Sequence, residues 1–299
     1  MSYRAGFLGL IGQPNAGKSS LMNYLVEEKV SIVSSKPQTT RRRVLGIWSS
    51  EEGQIVFVDA PGVVKSDKGL NSFLMKEAED VIKESDALVA VLSIDESKAE
   101  SAEEIIEMVS KSRKPWIGVI TKADLQDKSH RVLILKNLIE SKGGKSLTIS
   151  VKEKSKESQE DRKAILNDFL NLLPESPSPL YDIDLFTPET ERTLVAEIVR
   201  EKCFELLHEE VPFGIAIRVL KFELPKIHLE IIVTKENHKG IVIGKGGSQL
   251  KQIGIEARKD IEKLLGGQVY LDLKVNFKED WGKNKGIMKD LGYVKERKN

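Results

Sequence analysis

The stretch Gly12-Gln13-Pro14-Asn15-Ala16-Gly17-Lys18-Ser19 lies between an apolar run at 7–11 and a helical pattern at 19–28. It fits G-x-x-x-x-G-K-[ST], the pattern of a loop that binds phosphates. A chance glycine turn would lack this strand-turn-helix context, in which the loop N–H groups and the helix N-terminus favour negative charge. The pattern predicts that Lys18 reaches the β- and γ-phosphates of a nucleotide and that Ser19 binds Mg²⁺. The predicted phosphate-loop contacts come from Gly12, Asn15, Ala16, Gly17, Lys18, Ser19 and Ser20.

The composition is that of a globular protein with room for two domains, since the chain has 299 residues, of which 40% are hydrophobic and 31% charged. No apolar run approaches the ~20 residues of a membrane span, and the N-terminus shows no secretory signal, so we expect a cytoplasmic protein. Cys203 is the only cysteine, which excludes an intramolecular disulfide and predicts a buried core residue. Because the formal net charge is +1, a site for a polyanion requires local clustering of basic residues.

The first half of the chain alternates apolar strand patterns with amphipathic helix patterns. Strands are predicted at 7–11, 44–48, 55–58, 87–94, 116–120 and 147–149, and helices at 19–28, 70–84, 99–112, 130–141 and 161–172. This alternation predicts an α/β domain whose mostly parallel sheet is covered on both faces. The breaker cluster Pro174-Glu175-Ser176-Pro177-Ser178-Pro179 predicts that the domain spans 1–174 and that a linker follows at 175–187.

The second half has a different order of elements, which predicts an α+β domain over 188–299 with a basic C-terminal tail. Thr187 is the predicted N-cap of a helix that runs to 208, with Pro188 in its first turn. The later elements are predicted as strands at 213–222 and 227–234, a short helix, a loop at 244–247, a helix to 265 and a strand at 269–277.

Two further motifs follow predicted strands of the first domain. In Asp59-Ala60-Pro61-Gly62, Asp59 can hold Mg²⁺ through water and Gly62 can place its N–H against a γ-phosphate. Thr121-Lys122-Ala123-Asp124 fits a guanine-reading pattern, because Asp124 can accept hydrogen bonds from guanine N1–H and N2–H₂, whereas adenine would leave that carboxylate unpaired. Lys122 can lay its aliphatic stem over the base. The alternatives are ordinary turns at the ends of strands.

The polar segment 34–43 lies between the first two motifs and predicts a switch loop that closes over Mg²⁺ when a γ-phosphate is present. Thr40 is the first candidate for a metal ligand and Thr39 the second. Lys18, Thr40 and Gly62 are therefore our candidates for a role in hydrolysis, and Ser19, Thr40 and Asp59 for the metal site. The run Arg41-Arg42-Arg43 either contacts RNA or phosphate or forms a solvated basic strand edge.

The stretch Ile243-Gly244-Lys245-Gly246-Gly247 contains G-x-x-G before a predicted helix. In KH domains such a loop holds the backbone of single-stranded nucleic acid, because the glycines allow close approach of a phosphate. The alternative is a plain helix-turn-helix corner, which the order of the flanking elements disfavours. The predicted RNA contacts are Ile243, Gly244, Lys245, Gly246, Gly247 and Lys251.

Over nearly its whole length the sequence resembles the Era family of bacterial GTPases. Its motif series carries the resemblance, with Pro14-Asn15 inside the phosphate loop and Gln38-Thr39-Thr40-Arg41 in the switch. The run at 253–260 beside the G-x-x-G loop also resembles that family. Three positions or stretches depart from its pattern: Thr121 stands where the family usually has Asn, Ser150-Val151-Lys152 where it usually has Ser-Ala-Lys, and Ala60 where it frequently has Thr.

The resemblance implies binding of GTP and GDP with Mg²⁺, hydrolysis of GTP, and a role in 16S rRNA processing and assembly of the 30S small ribosomal subunit. It implies that Ser150, Val151 and Lys152 face the guanine base, and that the 3′ region of 16S rRNA is the partner. Asn15 matches relatives that use K⁺, which makes K⁺ an additional cofactor candidate. The resemblance also predicts a monomer and allows peripheral contact with the cytoplasmic face of the inner membrane.

Val63 follows Gly62 where Ras-type GTPases have a glutamine that orients the attacking water, and its side chain cannot do this. Three functions are therefore compared. The first is a GTP-hydrolysing switch that binds single-stranded RNA. The second is an RNA-binding chaperone that uses GTP occupancy with negligible turnover. The third is an ATP-dependent RNA enzyme, which Asp124 disfavours.

Overall fold

The computed structural model describes residues 2–34, 36, 39–63, 69–95, 99–125, 130–150 and 156–293. The chain divides into two compact units. The first comprises Met1–Lys65 and Leu74–Pro188, and the second comprises Ser66–Phe73 and Glu189–Asn299. Among the described residues, no helix is long and apolar enough to cross a bilayer.

The first unit is built on a mixed sheet of β1 (Arg4–Ile11), β2 (Val44–Ser49), β3 (Gly53–Asp59), β4 (Ala87–Ser93), β5 (Trp116–Thr121) and β6 (Lys145–Thr148). Within the described part of the chain the strand order is β2-β3-β1-β4-β5-β6. Every neighbouring pair is parallel except β2 and β3. β3 and β4 are buried along their whole length, as expected for strands that have a helix layer on each face.

Five helices cover this sheet within the described residues: α1 (Lys18–Val26), α2 (Gly69–Glu84), α3 (Ala99–Lys111), α4 (His130–Ser141) and α5 (Lys156–Leu172). α1 and α5 pack with Val89 and Val91 in one core, and α2, α3 and α4 pack with Leu88 and Ala90 in the other. Because successive strand residues point to opposite faces, these alternating positions place one core on each side of the sheet. The predicted α/β class with a mostly parallel sheet is confirmed.

Residues of the predicted linker, 175–187, bond to β2 and β3 of this sheet. The buried side chain of Gln54 accepts from the N–H groups of Leu180 (2.8 Å) and Tyr181 (2.9 Å). The N–H of Ile47 in β2 donates to the carbonyl of Phe186 at 2.8 Å. These contacts explain why the segment belongs to the first unit.

The second unit contains α6 (Glu191–Leu206), β7 (Ala216–Glu223), β8 (Lys226–Val233), α7 (Glu236–Ile243), α8 (Ser248–Leu265), β9 (Tyr270–Phe277) and α9 (Lys285–Asp290). β7 and β8 are antiparallel and β8 and β9 are parallel, in the order β7-β8-β9. Apolar residues of α6 and α8 pack against this sheet around Cys203, which is fully buried as predicted. Burial raises the pKa of the Cys203 thiol to about 12.

The N-cap of α6 is Thr190, and the prediction of Thr187 is wrong. The Thr190 hydroxyl accepts from the N–H of Thr193 at 3.2 Å, as an N-cap side chain does. The Thr187 hydroxyl instead donates to the carbonyl of Leu45 in β2 at 2.6 Å. A threonine before a proline satisfied the local capping pattern, but its hydroxyl is engaged by a strand distant in sequence.

Candidate nucleotide site and nucleic-acid loop

The motifs of the first unit meet in one cleft of about 710 Å³ at the carboxyl ends of β1, β3, β4 and β5. This edge of a parallel sheet is the usual position of a ligand site in α/β proteins. The parallel registers align Leu10 with Asp59 and Ser93 with Thr121, which brings the ends of the four strands together. The predicted site residues that line the cleft are Asn15, Ala16, Gly17, Lys18, Ser19, Ser20, Thr40, Gly62, Thr121, Lys122 and Asp124.

Close packing and a left-handed turn fix the phosphate loop. A Cβ at Gly12 would lie 2.4 Å from the carbonyl oxygen of Val91, so this position accepts only glycine. Gly17 has φ of 90° and immediately precedes α1, a conformation that glycine adopts without strain. Lys18 is only 5% exposed, and its Nζ donates to the carbonyls of Gly12 (3.1 Å) and Gln13 (2.9 Å). A buried ammonium at a helix N-terminus favours an anionic ligand in this loop.

The predicted metal residues converge on the carboxylate of Asp59, which is fully buried. Its Oδ2 accepts from Ser19 Oγ at 2.6 Å, and Thr40 Oγ1 lies 3.3 Å from the same oxygen. Within the described residues, Asp59 Oδ1 has no hydrogen-bond partner. Burial raises the pKa of Asp59, although the charge of Lys18 and the hydroxyl donors act in the opposite direction. A buried carboxylate oxygen without a donor, beside two hydroxyl oxygens, fits the all-oxygen ligand set that Mg²⁺ prefers.

Gly62 packs directly against the phosphate loop. A Cβ at this position would lie 2.7 Å from both N and Cα of Pro14, which leaves no space for a side chain. The next residue, Val63, donates its N–H to the carbonyl of Gly12 at 3.2 Å, and its side chain is buried. The structure therefore keeps the backbone of this turn beside the loop and provides no polar side chain at position 63.

The predicted guanine-reading motif is joined to the phosphate loop by Thr121, whose hydroxyl donates to the carbonyl of Ala16 at 2.7 Å. The hydroxyl retained at this position thus connects the two motifs. Ser150 Oγ donates to Asp124 Oδ1 at 3.0 Å, which orients the carboxylate. Lys122 Nζ lies 3.6 Å from Asp95 Oδ2 at the cleft wall. Val151 and Lys152, two further residues predicted to face the base, lie outside the described residues.

Two arginines of the basic run in the switch segment are engaged within the protein. Arg41 is buried, and Arg43 forms ion pairs with Glu77 and Glu84 of α2. These carboxylates raise the pKa of Arg43 against the effect of its partial burial. Arg43 thus connects the end of the switch segment to the helix that follows Gly62.

The G-x-x-G loop joins α7 to α8 through glycines that have φ of 73° at Gly244, 61° at Gly246 and 79° at Gly247. These left-handed conformations explain the glycines, since other residues rarely adopt them. No atom lies within 4 Å of a Cβ built at Gly246 or Gly247, so a nucleic-acid backbone could approach there. Lys245 and Lys251 are exposed beside the loop, and Ile243 is partly exposed.

A groove of about 670 Å³ lies beside α8 and the starts of β8 and β9, and it reaches Gly247 and Lys251. It adds residues that the sequence did not indicate as site residues, notably Tyr270, which is 66% exposed, and His228. His228 Nδ1 lies 2.9 Å from Asp272 Oδ2 on the neighbouring strand. The sequence signal that could have indicated this groove was a tyrosine in a strand pattern, because bases stack on aromatic side chains.

Comparison with known proteins agrees with this geometry. Residues 7–122 match the family model for the 50S ribosome-binding GTPase, and residues 200–282 match the KH domain. GTPase Era of Alkaliphilus metalliredigens is 38% identical over 98% of this chain and 100% of its own length. GTPase Era of Halothermothrix orenii is 37% identical over 98% of this chain and 99% of its own length.

Two solved structures are similar over 98% of this chain and 100% of their own length. One is a variant of Aquifex aeolicus Era bound to GDP and AlF₄⁻, with 34% identity and a TM-score of 0.89. The other is Era in complex with MgGDPNP and nucleotides 1506–1542 of 16S ribosomal RNA, with 35% identity and a TM-score of 0.90.

Proposed function

Since the chain belongs to the GTPase Era family, we propose that it is a GTP-hydrolysing switch that binds single-stranded RNA and acts in 16S rRNA processing and assembly of the small ribosomal subunit. The observation that carries this proposal is one cleft lined by Lys18, Ser19 and Asp124, where Ser19 also donates to the buried carboxylate of Asp59, on a chain that also has a G-x-x-G loop. Hydrolysis of GTP to GDP and phosphate accords with the family, which disfavours the alternative of a chaperone without turnover.

The nucleotide is held at three places in the proposed complex. Lys18 and the loop N–H groups, from Gly12 to Ser20, contact the phosphates, and Gly62 presents its N–H to the γ-phosphate. Asp124 binds the guanine edge, and the Thr121 hydroxyl holds the segment that carries Asp124 next to the phosphate loop. Ser19, Thr40 and Asp59 hold Mg²⁺, which neutralises charge on the β- and γ-phosphates when it is bound.

The second unit provides the proposed RNA site, with the loop from Ile243 to Gly247 and Lys251 on the RNA backbone. The MgGDPNP-bound Era relative carries the 3′ region of 16S rRNA, and we assign the same class of RNA to this chain. We assign nucleotide binding to the first unit and RNA binding to the second.

Coupling of the two sites is the central test of a switch. We expect RNA to bind more tightly to the GTP-analogue form than to the GDP form, since two ligands that favour the same arrangement must strengthen each other reciprocally. The measurement is the Kd of a 16S 3′-end oligonucleotide in both nucleotide states at one salt concentration. Equal affinities would leave two independent binding modules.

A matched variant assigns the RNA site in the same experiment. Lys245→Asp with Gly246→Asp places two carboxylates where phosphates should approach and removes glycine from a position with φ of 61°. We expect loss of RNA binding with unchanged GTP affinity. Retained RNA affinity would exclude the G-x-x-G loop.

A monovalent-cation effect should distinguish this site from that of Ras-type enzymes. We propose that K⁺ held by Asn15 offsets charge that develops in the transition state, because Val63 cannot orient the water. Hydrolysis should be faster in KCl than in NaCl at equal ionic strength, and Asn15→Ala should remove the difference. Equal rates for the parent protein in the two salts would exclude K⁺.

We further propose a monomer that resides in the cytoplasm and contacts the inner membrane only peripherally. Sedimentation equilibrium of the full chain tests the first point. Flotation with vesicles that carry anionic lipid tests the last, and recovery of all protein in the lipid-free fraction would contradict it.

A further inference from the structure

A third hydroxyl reaches the carboxylate of Asp59, and it belongs to none of the sequence motifs. Ser31 Oγ donates to Asp59 Oδ2 at 3.0 Å. Ser31 is only 3% exposed and lies 28 residues before Asp59, in the turn that follows α1. Oδ2 thus accepts from Ser19, Ser31 and Thr40, whereas Oδ1 has no partner within the described residues.

The backbone of Ser31 is itself fixed by one side chain of α1. Asn23 Oδ1 accepts from the N–H groups of Val30 at 3.0 Å and Ser31 at 2.9 Å. Asn23 Nδ2 donates to the carbonyl of Ser31 at 2.7 Å. The same helix begins with Lys18 and Ser19, so the hydrogen bonds of Asn23 fix the position of the Ser31 hydroxyl relative to the phosphate loop.

The three donors to Asp59 differ in what else they must do. Ser19 and Thr40 are the proposed Mg²⁺ ligands, and Thr40 belongs to the segment that senses the γ-phosphate. Ser31 has neither task, so its hydrogen bond can persist whether GTP, GDP or no nucleotide is present. A hydroxyl that donates to a metal-binding carboxylate orients that carboxylate, and its loss commonly weakens metal affinity.

We propose that Ser31 is a positioning residue for the Mg²⁺ site. Its hydroxyl holds Asp59 Oδ2, which keeps Oδ1 available to the ion or its water ligands, and Asn23 fixes the backbone of Ser31 for this task. This inference rests on the proposed GTPase function. It assigns a role in metal binding to a turn that carries no recognisable motif.

The test is the Mg²⁺ dependence of GDP release. Release of a fluorescent GDP analogue from the full-length protein is followed across a Mg²⁺ titration, and GDP affinity is measured separately in EDTA. For Ser31→Ala we expect the apparent Mg²⁺ affinity to fall by about 10-fold or more, the range found when a metal-binding group loses a hydrogen-bond partner. GDP affinity in EDTA should remain unchanged, which also shows that the variant is folded.

Two variants serve as controls. Ser31→Thr keeps the hydroxyl and should retain Mg²⁺ affinity within about twofold. Ser85→Ala tests whether the loss of any buried hydroxyl lowers Mg²⁺ affinity. Ser85 is also 3% exposed, and within the described residues its hydroxyl has no hydrogen-bond partner. Ser85→Ala should leave the titration unchanged.

The outcomes separate this inference from the proposed function. If Ser31→Ala has the Mg²⁺ affinity of the parent protein, or if Ser85→Ala loses as much, the positioning role is wrong while the GTPase site stands. If GDP release from the parent protein does not respond to Mg²⁺ at all, the proposed metal site itself fails.

Discussion

Lys18→Ala should lower GTP and GDP affinity by about 2–5 kcal/mol, the cost of removing one partner from a buried pair of charges. The size of the effect follows from burial, because Lys18 is 95% removed from solvent and its charge is screened little by water. Its loss also deletes the bonds from Nζ to two carbonyls of the phosphate loop, so the empty loop loses part of its own support. Equilibrium titration with a fluorescent GDP analogue measures the change.

A second lysine provides the control for net charge. Lys29→Ala removes the same charge from an exposed position just beyond α1 and should leave nucleotide affinity near that of the parent protein. If the two variants bind GDP equally well, Lys18 does not contact the phosphates.

Asp124→Asn should change which base the protein selects. The Ser150 hydroxyl can still donate to the amide oxygen of an asparagine, which turns the NH₂ group toward the base. Guanine N1–H and N2–H₂ would then face another donor, whereas the 2-oxo group of xanthine could accept a hydrogen bond from the asparagine NH₂ group. We expect GTP affinity to fall by at least about 100-fold and XTP to become the preferred nucleotide, because a site built on paired polar groups discriminates strongly.

Competition between GTP and XTP for the same labelled nucleotide provides the measurement. Asp168→Asn is the matched control. Asp168 of α5 forms an ion pair with Lys145 of β6 and does not line the cleft. A variant at position 124 that still prefers GTP as strongly as the parent protein would show that this carboxylate does not read the base.

Local patterns predicted the elements of the first unit because its central strands are apolar runs, of which β3 and β5 end in motif residues. The phosphate loop could be predicted for the same reason, since its spacing within a strand-turn-helix unit carries the chemistry. The polar contacts between distant segments could not be predicted. Nothing in the sequence around Ser31 indicates that its hydroxyl reaches Asp59, because that contact depends on how the turn after α1 meets the end of β3.

Pairing between distant residues also explains the two differences in the second half of the chain. Thr187 had the local features of an N-cap, but its hydroxyl donates a hydrogen bond to the carbonyl of Leu45 instead. Tyr270 and His228 lie 42 residues apart and share a groove only because β8 and β9 pair in parallel. Which strands pair across such a distance depends on tertiary packing, which a local sequence pattern does not specify.

The contacts of 175–187 with the first unit also determine where this protein can be divided for experiments. β2 is the outermost strand of its sheet, and its outward-facing Ile47 N–H and Leu45 carbonyl are both occupied by residues 186–187. A fragment that ended at 174 would uncover these groups and create an open strand edge, a template for pairing between copies and for aggregation. A nucleotide-binding fragment that extends through Pro188 keeps its own edge protected, and a soluble product should therefore require those last fourteen residues.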